Sequence, residues 1–139
     1  MSVSMIYRTV AGLLLLFALG HTLGFNHVDP GWGVNAPIDA LQTIRFTAQG
    51  TPNRTYWGFY LGFGYFCSAL LVLAMALAWQ VARLSREALR EMRFVLWSFA
   101  IVFLATTCMT WIFFFTAPKV FSSLITLALF AGAWRAQTA

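Results

Sequence analysis

"YLGFGYFCSALLVLAMALAW", residues 60–79, runs without a single charged side chain. A helix needs about 20 mostly apolar residues to cross a hydrocarbon core. Extended to Tyr56 and to Leu84, this stretch meets that length with residues to spare. Three others read the same way: Met5–Phe25, which carries "AGLLLLFALG" at 11–20, then Phe94–Phe115, and Pro118–Arg135. Such runs belong in lipid, because a helix satisfies its own backbone polar groups there.

The composition agrees. Of 139 residues, 60% are hydrophobic and 9% charged, with a mean hydropathy of +0.76. A soluble domain draws on roughly 25% charged residues for its surface. The expectation is an all-α membrane protein: one domain over 1–139, a four-helix transmembrane bundle with a short interfacial helix on its outer face. Nothing between the spans is long enough for a further domain, and no 20–50-residue period repeats. The first run resembles a signal peptide, with Arg8 before the apolar core and Ala18-Leu19-Gly20 as a cleavage-like site. We read it as an uncleaved first span.

The net charge of +5 gives no nucleic-acid signal, because the basic residues stand at the ends of apolar runs. They read as topology determinants. Arg8, Arg83, Arg86, Arg90, Arg93 and Arg135 fall on the side of the termini; Arg45, Arg54 and Lys119 fall on the other. This asymmetry places both termini in the cytoplasm of a bacterium, in a multi-pass inner-membrane protein. Trp32, Tyr56 and Trp57 fit an outer aromatic belt, and Trp79 and Trp134 an inner one.

Several turn and cap signals separate the spans. Ser85 opens a short polar helical turn, "SREALREMR". Thr116-Ala-Pro118 marks the start of the fourth span, and Thr51-Pro52-Asn53 the start of the second. In the long outer loop, Pro30, Gly31 and Gly33 break regular structure. Ile38, Leu41, Ile44 and Ala48 then recur at helical spacing, which predicts an amphipathic helix over about 37–49.

Candidate chemistry gathers at the outer ends of the first two spans. Gly20 and Gly24 form one GxxxG pair, Gly58 and Gly62 another. Such pairs let helix backbones approach closely, so all four glycines are expected at a helix–helix contact, between the two spans or between subunits. His21 sits inside the first pair, and an ionisable residue in a span is a functional candidate. The ligand-binding candidates are His21, His27, Arg54, Trp57, Tyr60 and Trp111, with aromatic rings lining an apolar pocket and His21, Arg54 and Tyr60 as its polar points. The competing reading is a lipid-facing belt with one structural histidine.

Exclusions narrow the function. Asp29, Asp39, Glu87 and Glu91 all lie outside the spans, whereas proton-coupled transporters use embedded carboxylates. His21, His27 and Asp29 have no recognised metal-ligand spacing, and haem ligation between facing helices would need a second embedded histidine. Cys67 and Cys108 lie in apolar runs and act as small buried residues. Thr106, Thr107, Cys108 and Thr110, with Ser122, Ser123 and Thr126, read as polar residues that satisfy one another or the backbone. No catalytic residue, metal or cofactor is assigned. The favoured function is binding of a lipid or another hydrophobic small molecule, or membership of a membrane assembly. The alternative is a small membrane enzyme or redox subunit around His21. The partners are lipid and a second copy or larger complex, without nucleic acid.

"GHTLGF" at 20–25, "QGTPNRTYWGFYLGFG" at 49–64 and "FFFTAPKVFSSLITLAL" at 113–129 resemble a group of small, uncharacterised bacterial four-helix integral membrane proteins (GHTxG … RTYWxFYxGFG). The resemblance covers nearly the whole chain and implies the same fold. Many members of that group carry an acidic residue where Gly58 stands and His-Phe-Asp where Arg45-Phe46-Thr47 stands. This chain departs at both places, so a polar site there would be altered. Size and helix count are loosely similar to the DoxX-like and MAPEG-like groups, without their signature residues.

Overall fold

A computed structural model describes residues 2–138, and they are mostly helical. The order is α1 (Val3–Gly24), a 3-10 turn (Pro30–Trp32), α2 (Asn35–Thr43), β1 (Phe46–Ala48), β2 (Thr51–Arg54), α3 (Tyr56–Val81), α4 (Arg86–Glu91), α5 (Arg93–Phe113) and α6 (Thr116–Thr138). Four of these, α1, α3, α5 and α6, are long and apolar enough to cross a membrane. They match the four expected spans to within a few residues at each end.

The chain divides into two units, one over Ala18–Leu70 and a larger one made of the chain before and after it. In the larger unit, α1 contributes Tyr7, Val10, Ala11, Leu14 and Phe17 to the core at three- and four-residue spacing. Ile125, Leu129, Ala133 and Ala136 do the same on α6, and Leu96, Ala100 and Phe103 on α5. Leu89 pins the short helix α4 to this core. Ser85 caps α4, its hydroxyl accepting the Ala88 N–H at 3.3 Å, as its position in the sequence predicts. The Tyr7 ring lies on Gly132, where a Cβ would come within 2.8 Å of it.

The expected hydroxyl pairing joins α5 to α6. Thr107 and Thr126 are 2.8 Å apart, and Thr110 and Ser122 2.7 Å. Thr106 bonds back to the Val102 carbonyl at 3.0 Å. The α6 helix begins at Thr116 itself, so Pro118 lies within its first turn, where the missing N–H costs nothing. Cys67 and Cys108 are free and exposed, not buried as small core residues.

The smaller unit corrects the reading of the loop. The helix expected over 37–49 stops at Thr43, and 46–54 is an antiparallel hairpin. Ile44, Phe46 and Ala48 alternate with Arg45, Thr47 and Gln49. That is a period of two, and it was masked by apolar residues that also fit a period near four. Gln49 (φ 48°) and Gly50 (φ 77°) both take the left-handed conformation of a two-residue hairpin turn. Thr51-Pro52-Asn53 is therefore strand and does not cap α3. Thr55 does so instead, its hydroxyl accepting the Gly58 N–H at 3.0 Å.

Candidate functional site

The end of α1 carries Ala18, His21 and Thr22 on one stripe, and Phe25, one residue past the helix and bonded through its N–H to the His21 carbonyl, continues it. In the same unit, α3 offers Tyr60, Gly64, Tyr65 and Ser68. The two sets meet. His21 Nδ1 lies 3.0 Å from Ser68 Oγ, and Thr22 Oγ1 lies 2.8 Å from the same atom. Thr22 also reaches the Ala18 carbonyl at 2.7 Å, and Ser68 the Gly64 carbonyl at 3.2 Å. Thr22 thus makes the back-bond expected of it.

Proton accounting constrains this node. Thr22 and Ser68 each have one hydroxyl proton. If Ser68 donates to the Gly64 carbonyl, then Nδ1–H of His21 donates to Ser68 and Nε2 is an acceptor. If Ser68 donates to Nδ1, then Nε2 bears the proton and is a donor. Either way Nε2 has no hydrogen-bond partner among the described residues, although the ring is half-buried.

Phe25 holds the aromatic side of the site together. Its ring stacks on His21 at 5.1 Å and meets Tyr65 edge-on at 5.0 Å and Tyr60 at 6.2 Å. Its carbonyl accepts the Tyr60 hydroxyl at 2.6 Å. Trp57 stacks on Tyr60 at 5.1 Å. Gly64 makes room for the Phe25 ring, which a Cβ there would strike.

The glycine pairs read as the crossing do not form it. A Cβ added at Gly20, Gly24 or Gly62 meets nothing within 4 Å, and at Gly58 only the capping hydroxyl of Thr55. The stripe that meets α3 holds His21, Thr22 and Phe25, so Gly20 and Gly24 point elsewhere. Sequence reasoning missed Gly64 and Ser68. The available signal was Gly64-x-x-x-Ser68, a second small-xxx-small pair one step along the same helix.

His27 and Arg54 have no hydrogen bond to the node among the described residues. His27 is exposed in the loop after α1. Arg54 lines an open hollow of about 270 Å³ with Asn53, Thr55, Gly58 and Phe59. Beside it Phe46 packs on Tyr56 and Phe59, 4.9 and 5.9 Å away. Trp111 belongs to the larger unit, where its Nε1–H donates to Ser123 at 3.1 Å and Lys119 lies over its ring. Among the described residues no group of three or more His, Cys, Asp or Glu is placed to hold a metal ion. No family model, curated protein or solved structure matches the chain.

Proposed function

We propose that this is a multi-pass bacterial inner-membrane protein, a four-helix transmembrane bundle with both termini in the cytoplasm. It binds an amphiphile, a lipid or similar apolar molecule with a polar end, at the loop-side end of α1 and α3. The distribution of residue sizes supports the membrane reading. Large apolar side chains are exposed along all four long helices, among them Leu16, Leu23, Phe63, Leu73, Val102, Ile112 and Leu127. Small residues take part in the contacts: Ala11, Ala78, Ala100, Ser122, Thr126 and Ala133 are buried beside Tyr7, Leu14, Leu96, Ile125 and Leu129. Helices in lipid gain nothing from hiding large apolar groups and associate through small residues. The arginine asymmetry supports the orientation.

The observation that carries the ligand reading is the unpartnered Nε2 of His21. A half-buried imidazole with one nitrogen fixed by Ser68 and the other free, beside Phe25, Tyr60 and Tyr65, combines one polar anchor with apolar walls. Mass spectrometry of amphiphiles retained by the purified protein tests it. The wild type retains a species enriched over the bulk lipid, and His21→Phe, which keeps the stacked ring but no ring nitrogen, loses it. Equal retention by both overturns the reading.

The 3.0 Å Ser68–His21 pair also favours a second reading, a small membrane enzyme with Ser68 as nucleophile and His21 as base. Stoichiometric labelling of Ser68 by a fluorophosphonate would support it, and no labelling would refute it.

A further inference from the structure

The nine residues of α2 sort by face. At 100° per residue, Asn35, Asp39, Gln42 and Thr43 occupy one arc, and Ala36, Pro37, Ile38, Ala40 and Leu41 the rest. Among the described residues the apolar arc is only partly covered, with Ile38 and Ala40 half-buried. No residue of α2 is buried, and Ala36, Pro37 and Leu41 are exposed. The apolar surface continues past both ends, with Trp32 64% and Ile44 62% exposed.

The chain itself limits what can cover this face. The link from Gly24 to Asn35 would reach about 36–40 Å if fully extended, but it is folded. His27 N–H donates to the Gly24 carbonyl, and both Gly31 and Trp32 N–H donate to Asp29. The link from Thr43 to Tyr56 is taken up by the hairpin. Two short straps therefore hold α2 beside the ends of two spans, where the nearest apolar medium is the bilayer.

We infer that α2 lies flat in the membrane interface on the loop side, with Ile38 and Leu41 in the headgroup–acyl boundary, Asp39 and Gln42 in water, and Trp32 and Ile44 as flanking anchors. The inference rests on the membrane reading of the spans. A single nitroxide label tests it in Cys67→Ser/Cys108→Ser protein reconstituted into phosphatidylethanolamine–phosphatidylglycerol vesicles. The sites are Leu41→Cys, Asp39→Cys and Gln42→Cys, with Leu70→Cys, an exposed position on α3, as reference. The readout is collision with oxygen, which concentrates in lipid, relative to a water-soluble nickel complex.

The expected result is an oxygen-to-nickel ratio at Leu41 several-fold above that at Asp39 and Gln42, with Leu70 higher still. Nickel access at all three α2 sites, with Leu70 in lipid, overturns the inference and leaves the spans in place. Shielding of α2 from both reagents also overturns it, because a protein then covers the face. Nickel access at Leu70 removes the membrane reading and α2's placement with it.

Discussion

Ser68 Oγ is the common partner of His21 Nδ1, 3.0 Å away, and Thr22 Oγ1, 2.8 Å away. One hydroxyl thus orients a histidine and a threonine of another helix. Hydrogen bonds between helices in membranes average about 0.6 kcal/mol and reach about 1.7. Ser68→Ala removes a hydroxyl shared by two groups, so it is expected to cost about 1 kcal/mol in detergent unfolding titrations. In a double-mutant cycle, Ser68→Ala and His21→Phe should couple by at least ~0.5 kcal/mol. Additive effects would show that the contact carries no energy.

The glycines give a sharper contrast. At Gly64 a Cβ strikes the Phe25 ring, whereas at Gly62 it meets nothing. Gly64→Ala is expected to cost about 1–3 kcal/mol through overpacking. Gly62→Ala is expected to stabilise by up to about 1 kcal/mol through helix propensity. Melting temperatures of the two variants, measured side by side, decide it. The reverse order would restore the Gly58/Gly62 pair as the crossing point.

Gly58 is the third residue of α3, with its N–H capped by Thr55. A glutamate there would complete a capping box by reaching back to the Thr55 N–H, and its charge would face the positive end of the helix. Its Cβ would lie 3.3 Å from the Thr55 hydroxyl oxygen, a contact that a small side-chain rotation relieves. Gly58→Glu is expected to raise stability by about 0.5–1 kcal/mol. A lower melting temperature would contradict this.

In the larger unit, the Tyr7 hydroxyl is buried without a hydrogen-bond partner among the described residues. An unsatisfied buried polar group costs about 1–3 kcal/mol. Tyr7→Phe removes the oxygen and keeps the ring against Gly132, so it should leave stability unchanged or raise it. Gly132→Ala pushes a methyl into that ring and should destabilise. A clear loss in Tyr7→Phe would mean that a water or ligand satisfies the hydroxyl.

The four long apolar helices were legible because each declares itself as an unbroken apolar run of about 20 residues without acids. The Ser85 cap, the Thr22 back-bond and the α5–α6 hydroxyls were legible because local spacing determines them. The hairpin was misread because Ile44, Phe46 and Ala48 satisfy two periods at once, and only Gln49-Gly50 breaks the tie. Ser68 was missed because its partners are 46 and 47 residues away. Its role depends on which face of α3 meets α1. The GxxxG pattern marks where helices are able to approach, and Phe25 decides that Gly64 is where α3 is approached.

The most direct test of the account is a density map of the protein in lipid nanodiscs, inspected at His21. An elongated non-protein feature is expected to run along Tyr60 and Tyr65 and to end within hydrogen-bond distance of His21 Nε2. A map in which Nε2 is bonded to a protein group, or faces the lipid annulus with no ordered density beside it, would contradict the proposed binding site.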